Sequence, residues 1–291
     1  MIARHFPQIK AFFISISSLC LAACSPTTLL NKLNSAEQFK TDNNIAYGPH
    51  ARQTLDIYSP PDNNNGCVIV FAYGGSWDSG DKNMYGFVGA ALGRKGHTVV
   101  IPNYRLYPEV KFPTFVEDFA LSIAQPKVQQ LIQQKPLILM GHSAGAMLAG
   151  LVSFDTTYLE AAGLNKEKVA GYISLSGPHD FFLPSQKPRW LDMFGEKPEQ
   201  QIQALTVNHI HPDNPPTLLL HGEDDTIVVP ESATVLQQQL QSAGVPATAH
   251  IYTNVSHKDI IVATSRGLNF LAPTLRDIEQ FLKPICQAAN S

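Results

Sequence analysis

Seven short apolar runs recur along the chain, each five to eight residues long and rich in β-branched residues. Their lengths, and the turn-forming residues around them, are typical of buried strands. The runs occupy 53–58, 67–73, 97–103, 136–140, 169–176, 216–222 and 247–253, and segments of helical length lie at 83–95, 113–134, 144–154, 231–243 and 272–284. Apolar strands that alternate with helices predict an α/β fold, in which helices cover both faces of a mostly parallel sheet.

The first residues are typical of an export signal. Arg4 and Lys10 precede the apolar stretch 11–23, which is too short to span a membrane permanently. The motif LAAC, which ends at Cys24, resembles the bacterial lipobox, where cleavage exposes a cysteine that carries a diacylglyceryl thioether and a fatty acid such as palmitate. The resemblance implies an exported lipoprotein attached to a membrane through Cys24, and Ser25 resembles the signal for the outer membrane. An ordinary secretory signal with an incidental cysteine is the alternative.

The pattern divides the chain into three parts. Residues 1–23 are the predicted signal peptide, and residues 24–45 are polar without a sustained period, which predicts a tether. Residues 46–291 then form one α/β domain. Within it, the tract 178–216 separates two strands by more residues than one connection needs, and this excess predicts a small cap.

Composition excludes several functions. Charged residues make up 15% of the chain and the net charge is −3, so nothing predicts a nucleic-acid partner. The histidines and cysteines show neither H-E-x-x-H nor C-x-x-C spacing, so we predict no metal and no cofactor. Besides Cys20 and Cys24, the chain contains Cys67 and Cys286, and the sequence leaves open whether these two form a disulfide or stay separate thiols.

The stretch LILMGHSAGAMLAG, residues 137–150, places a serine between two glycines at the junction of a predicted strand and a predicted helix. A G-x-S-x-G motif alone is weak, but at such a junction it is typical of a nucleophile elbow. In that tight turn, a Cβ at Gly141 or Gly145 would strike the neighbouring backbone. The motif therefore predicts that Ser143 is a nucleophile at the carboxyl edge of the sheet.

A serine nucleophile needs a base and an acid that orients the base. The run 216–222 is followed by Glu223, Asp224 and Asp225, and the run 247–253 is followed by His257 in a polar loop. The chain order of serine, acid and histidine is the one used by α/β-hydrolases. From spacing alone, each of the three carboxylates is a candidate for the acid.

At these residues the sequence resembles the α/β-hydrolase esterases, in particular the group of hormone-sensitive lipase, feruloyl-esterase-like hydrolases and kynurenine formamidase. The likeness covers about 53–284 and includes NYRLYPEVKFPTFVEDF at 103–119. It implies an α/β-hydrolase fold. The family pattern H-G-x-x-D-x-x-V, which begins here at His221, selects Asp225 as the acid, and the position of His257 matches the family's base.

The segment FAYGGSWDSGDK, residues 71–82, resembles the family's H-G-G-x-W…G-D-K loop, which forms an oxyanion hole. The resemblance implies backbone donors at Gly75, with Gly74 or Ser76, and at Ala144 after the nucleophile. Tyr73 replaces the family's histidine. That histidine braces the loop and is not the base, so we expect the tyrosine hydroxyl to take over the bracing.

Three further residues near these motifs are interpreted as structural. His142 neighbours the nucleophile, but the elbow turns its side chain elsewhere, so we expect it to pack or to brace a loop. His221 is expected to close the end of its strand, and Arg105 to tie loops together.

These features predict a serine carboxylesterase that acts on a small-molecule ester through Ser143, His257 and Asp225. The same groups also serve amide hydrolysis, as in formamidases. A non-catalytic binding protein held on a membrane surface is a third hypothesis. Replacement of Ser143 by alanine separates the classes, because a binding protein keeps its function and an esterase loses it. The sequence predicts neither the acyl length nor the oligomeric state.

Overall fold

The computed structural model describes residues 26–34, 39–60, 66–164, 169–180 and 188–288. Its strands are β1 (Lys40–Ala46), β2 (Thr54–Ser59), β3 (Val68–Ala72), β4 (Thr98–Pro102), β5 (Leu137–His142), β6 (Val169–Leu175), β7 (Thr217–Gly222) and β8 (Ala247–Tyr252). They form one sheet in the order β1-β2-β4-β3-β5-β6-β7-β8. Strands β3 to β8 are parallel, whereas β1 and β2 are antiparallel to their neighbours. The predicted α/β class is confirmed.

A helix lies in each of the five segments that the sequence pattern predicts as helical, and further helices occur elsewhere in the described residues. The helices are α1 (Pro26–Leu33), α2 (Gly86–Gly93), α3 (Thr114–Ile123), α4 (Pro126–Ile132), α5 (Ala144–Phe154), α6 (Thr156–Ala161), α7 (Pro188–Phe194), α8 (Pro198–Ile202), α9 (Glu231–Ser242), α10 (Asp259–Val262) and α11 (Thr274–Ala288). The segment predicted as one helix at 113–134 is two helices, because Pro126 cannot continue α3. Gln125 caps α4 by accepting from the main-chain N–H groups of Lys127 and Val128.

The prediction of a tether over 24–45 is wrong for the described part of that segment. Residues 26–33 form α1, and β1 pairs with β2 along the edge of the sheet. The pattern of apolar positions does not indicate strand β1, because its sequence, KTDNNIA, has one large apolar residue and is mostly exposed. An edge strand of this kind is held by main-chain pairing rather than by an apolar face.

The predicted signal peptide and Cys24 lie outside the described residues, as do 181–187 of the predicted cap. The rest of the cap tract contains α7, α8 and a 3₁₀ turn at Thr206–His209. Among the helices of the described residues, none is both long and apolar enough to cross a membrane.

A disulfide joins Cys67, beside the start of β3, to Cys286 on α11. Its Cα atoms are 5.3 Å apart, and the bond closes a loop across 219 positions of sequence. The sequence left this pairing open, because nothing in the spacing shows that β3 and α11 meet.

We expect the double substitution of Cys67 and Cys286 by serine to lower the free energy of unfolding by about 2 to 5 kcal/mol, since the cross-link restricts a long loop of the unfolded chain. Urea unfolding under oxidising conditions measures the loss. Dithiothreitol should lower the stability of the wild type to that of the variant and leave the variant unchanged. Equal stability of oxidised wild type and variant would contradict the role of the bond.

Candidate active site

Ser143 lies in a sharp turn between β5 and α5, at the carboxyl edge of the sheet. Its backbone has φ 55° and ψ −127°, a conformation that costs a non-glycine residue energy. A Cβ on Gly141 would lie 2.2 Å from the carbonyl oxygen of Gly145, and a Cβ on Gly145 would lie 2.1 Å from that of Ala72. Both glycines are therefore required by the turn, which holds the hydroxyl of Ser143 at the amino end of α5.

The structure brings Ser143, His257 and Asp225 into one chain of hydrogen bonds. The Oγ of Ser143 is 2.8 Å from Nε2 of His257, and Nδ1 of His257 is 2.7 Å from Oδ2 of Asp225. His257 lies in the loop between β8 and α10, and Asp225 lies in the turn after β7. The three side chains come from separate loops at one edge of the sheet, which is where ligand sites of such sheets are found.

The turn after β7 holds the carboxylate of Asp225 ionised. Its Oδ1 accepts from the main-chain N–H groups of Ile227 and Val228, each at 2.9 Å. Its Oδ2 lies 3.1 Å from Nε2 of His221 in addition to its bond with His257. Burial raises the pKa of Asp225, but these hydrogen bonds outweigh it and hold the pKa well below its usual range.

The neighbouring acids are placed differently. Glu223 and Asp224 are exposed, whereas Asp225 is buried. Of the three carboxylates that follow β7, Asp225 is the one that forms a hydrogen bond with His257. The family pattern thus selected the residue that the structure places beside His257.

His142 braces the loop of His257, as expected. Its Nε2 donates to the carbonyl oxygen of His257 at 3.0 Å, and its ring is buried. Burial and the nearby His257 lower the pKa of His142 to about 3, so its ring is neutral at ordinary pH. His142 therefore fixes the position of His257 without competing for a proton.

The loop after β3 lies directly against the serine. A Cβ on Gly74 would be 2.9 Å from the Cβ of Ser143. Gly75, Ser76 and Trp77 have φ values of 140°, 50° and 61°, so the loop turns sharply. Among the described residues, no backbone carbonyl accepts from the N–H groups of Gly75, Ser76 or Ala144. These groups are available to a bound oxyanion.

Tyr73 braces this loop from beneath. Its hydroxyl donates to Oδ1 of Asn103 at 2.9 Å and accepts from Nη2 of Arg52 at 2.7 Å. Burial raises the pKa of the Tyr73 hydroxyl, which keeps its proton available for donation. Arg52 also binds the carbonyl oxygen of Gly80, and a main-chain N–H at Lys82 binds Asn103. Through Arg52 and Asn103, Tyr73 is therefore connected to the far end of the loop as well as to its beginning.

We expect Tyr73→Phe to lower kcat several-fold with little change in KM, because the donors of the loop lose their bracing while the surface that binds substrate is kept. The unfolding free energy should fall by about 1 to 3 kcal/mol, since the variant leaves buried polar partners unpaired. Steady-state kinetics and urea unfolding check both effects. Unchanged kcat would show that the hydroxyl does not position the loop.

The sequence missed the contacts between the cap and the loop. Arg189 of α7 forms an ion pair with Asp78, and Trp77 packs against Trp190 and Phe194 with ring centroids 5.5 and 5.1 Å apart. No short motif indicates such contacts, because they join segments far apart in the chain. The described part of the cap thus supports the loop that faces Ser143.

One cluster of metal-ligand residue types occurs in the described part of the chain. Cys67, His97 and Cys286 lie together, but their two sulfur atoms are joined in the disulfide. A thiolate is the form of cysteine that binds a metal. The cluster as observed therefore offers one histidine.

Comparison with known proteins adds a family to this geometry. The sequence profile of the BD-FAE family matches residues 55–240, which is more than half of the chain. The chain belongs to the BD-FAE family. A carbohydrate esterase from gut microbiota, in truncated form, superposes on this BD-FAE protein with a TM-score of 0.73 at 19% identity, over 87% of this chain and 99% of that one. The α/β-hydrolase fold predicted from the sequence is confirmed.

The BD-FAE protein is also similar to curated eukaryotic proteins. It is 27% identical over 241 residues to a probable isoprenylcysteine alpha-carbonyl methylesterase of Arabidopsis thaliana, which covers 75% of this chain and 57% of the relative. It is 23% identical over 248 residues to kynurenine formamidase of Drosophila melanogaster, over 82% of each chain. The chain thus spans little more than half the length of the plant relative.

Proposed function

We propose that the BD-FAE protein is a serine hydrolase that cleaves carboxylic esters. The observation that carries the proposal is the hydrogen-bonded chain from Ser143 Oγ through His257 to Asp225. A serine hydroxyl at neutral pH is a poor nucleophile unless a base removes its proton. Here Nε2 of His257 lies 2.8 Å from the hydroxyl oxygen, where it can accept that proton, and Asp225 favours the imidazolium that forms.

The reaction follows from this arrangement. His257 takes the proton of Ser143 as Oγ attacks the ester carbonyl carbon. Main-chain N–H groups at Ala144 and Gly75, with Gly74 or Ser76, stabilise the oxyanion. The alcohol leaves with the proton from His257, and the acyl group stays on Ser143. Water then attacks the acyl-enzyme by the same route and releases the acid.

Amide hydrolysis is the second candidate, and the similarity to kynurenine formamidase over most of the chain favours it. The same nucleophile, base and donors serve both reactions, since both pass through a tetrahedral intermediate. The two differ in the leaving group, which His257 would protonate as an amine.

A substrate panel tests the proposal and separates the candidates. Purified protein is assayed with p-nitrophenyl esters from acetate to palmitate and with N-formylkynurenine. We expect the wild type to hydrolyse at least one of the esters faster than the Ser143→Ala variant does. Turnover of N-formylkynurenine alone would favour the amide hydrolase. Inertness of wild type towards every substrate would contradict the hydrolase and favour a binding protein.

We also propose that the protein is attached to a membrane through a lipid on Cys24. The apolar stretch 11–23 and the motif LAAC support this attachment. A protein with three acyl chains is held stably on a membrane. Globomycin, which blocks the lipoprotein signal peptidase, should cause an uncleaved precursor to accumulate. Normal processing in its presence would favour the ordinary secretory signal.

A further inference from the structure

Helix α1 presents two leucines to solvent. Leu29 and Leu33 are 54% and 62% exposed, and they lie four positions apart on one side of the helix. Leu30, on the adjacent side of the helix, is buried, and so is Asn34 directly after the helix. Exposed leucines at this spacing form an apolar stripe that no described residue covers.

Hydrogen bonds hold this helix firmly on the domain. Oδ1 of Asn31 accepts from the N–H of Phe87 at 2.9 Å, and Nδ2 of Asn31 donates to the carbonyl oxygen of Asn83 at 2.6 Å. Asn83 lies just after the loop that faces Ser143, within the 3₁₀ turn at Lys82–Met84. The helix, and with it the exposed stripe, therefore has a fixed position on the domain.

One positive charge lies within the stripe, and two more lie beyond the end of α1. Lys32 lies between the two leucines and is exposed. The side chain of Asn34, one residue beyond Leu33, accepts from Nη2 of Arg94 and from the main-chain N–H of Arg266, each at 2.8 Å. Asn34 thus brings Arg94 and Arg266 together beyond the end of α1.

A third apolar group lies on the segment that contacts α1. Phe270 is 77% exposed and follows Arg266 by four residues. Exposed aromatic and leucine side chains together with lysine and arginine are typical of protein surfaces that lie at a bilayer. Long cationic side chains can reach the phosphates while apolar groups enter the layer below them.

The position of α1 in the chain indicates what this face meets. Pro26 begins the helix two residues after Cys24, and the apolar stretch 11–23 comes directly before that cysteine. Two extended residues reach about 7 Å. Any membrane attachment through Cys24 or the stretch before it therefore holds the start of α1 at the lipid headgroups, whereas a free tether over 24–45 would have allowed about 70 Å.

We propose that the face formed by Leu29, Lys32, Leu33, Arg94, Arg266 and Phe270, here called the α1 face, docks on the surface of an anionic lipid bilayer. The leucines and Phe270 enter the boundary between headgroups and acyl chains, and the three cations pair with lipid phosphates. This inference rests on the proposed membrane attachment near Cys24 and does not depend on ester hydrolysis. Docking fixes the orientation of the domain against the membrane.

Tryptophan quenching by brominated lipid tests the docking. The full chain with Leu33→Trp, and separately with Leu29→Trp, is reconstituted with vesicles of phosphatidylcholine and 30% phosphatidylglycerol, in which part of the phosphatidylcholine is brominated. The matched control is Leu121→Trp, since Leu121 is 37% exposed on α3, which packs against α5 and α6. Wild type gives the background from Trp77 and Trp190.

We expect both α1 variants to be quenched at least about twofold more than the control. The further substitutions Lys32→Gln and Arg266→Gln should each lower the ratio of docked to undocked protein by about fivefold. Vesicles of pure phosphatidylcholine, which lack anionic lipid, should partly reproduce this loss. Sedimentation of the chain with the vesicles reports attachment separately from docking. Equal quenching in variant and control, when the protein is attached to the vesicles, would overturn the proposal that the α1 face docks on the bilayer. Protein that does not sediment with anionic vesicles would overturn it as well.

Discussion

Replacement of Ser143 by alanine is expected to lower kcat/KM for an ester by about 10⁴-fold to 10⁶-fold. The variant keeps the binding surface and the backbone donors but lacks the oxygen that lies 2.8 Å from Nε2 of His257. Without that oxygen no acyl-enzyme forms, and only direct attack by water is left. Steady-state kinetics on the best ester of the substrate panel measures the loss.

The control for this substitution is Ser153→Ala. Ser153 lies on the same helix as the elbow, and its hydroxyl donates to the carbonyl oxygen of Ala149 inside α5. This serine is close to Ser143 in sequence but is not part of the hydrogen-bonded chain with His257. We therefore expect the activity of Ser153→Ala to stay within about threefold of wild type. Comparable activity in Ser143→Ala and Ser153→Ala would contradict the assignment of Ser143 as the nucleophile.

Asp225→Asn is expected to lower kcat by about 10⁴-fold, a loss of the size known for such a substitution in a serine protease. Two main-chain N–H groups, of Ile227 and Val228, point at Oδ1 and will keep the amide oxygen there. The amide nitrogen then takes the place of Oδ2 and presents N–H groups to His257. The imidazole must accept at Nδ1 and carry its proton on Nε2, where it cannot take the proton of Ser143.

The neighbouring residue provides the control. Asp224 is exposed and differs from Asp225 by one position, so Asp224→Asn removes the same charge from the same turn. We expect its kcat to stay within about threefold of wild type. A similar loss in both variants would mean that general charge at this edge, rather than the orientation of His257, is what the enzyme needs.

The sequence predicted the fold class and the position of Ser143 from local signals, and it predicted the meeting of Ser143, Asp225 and His257 with the help of the family resemblance. Buried parallel strands are continuous apolar runs, and a nucleophile elbow needs glycines at fixed offsets. The choice of Asp225 among three acids came from the family pattern, and the structure places that residue beside His257. The roles of these residues in catalysis stay predictions.

The parts that the sequence did not predict depend on contacts between distant segments. Strand β1 is polar and is held by pairing with β2, so its side chains carry no period. The partners of the Tyr73 hydroxyl, Arg52 and Asn103, lie 21 and 30 positions away, and Cys67 meets Cys286 across 219 positions. Such contacts follow from the packing of the whole sheet, and no short window of sequence contains them.

Covalent labelling tests the central claim most directly. A fluorophosphonate forms a stable adduct with a serine whose hydroxyl is activated by a neighbouring base, and it mimics the tetrahedral intermediate. After the native protein is labelled and digested, mass spectrometry locates the adduct. We expect one adduct, on Ser143, formed together with loss of esterase activity and abolished in His257→Ala. An adduct on another residue, or full inhibition without modification of Ser143, would contradict the account.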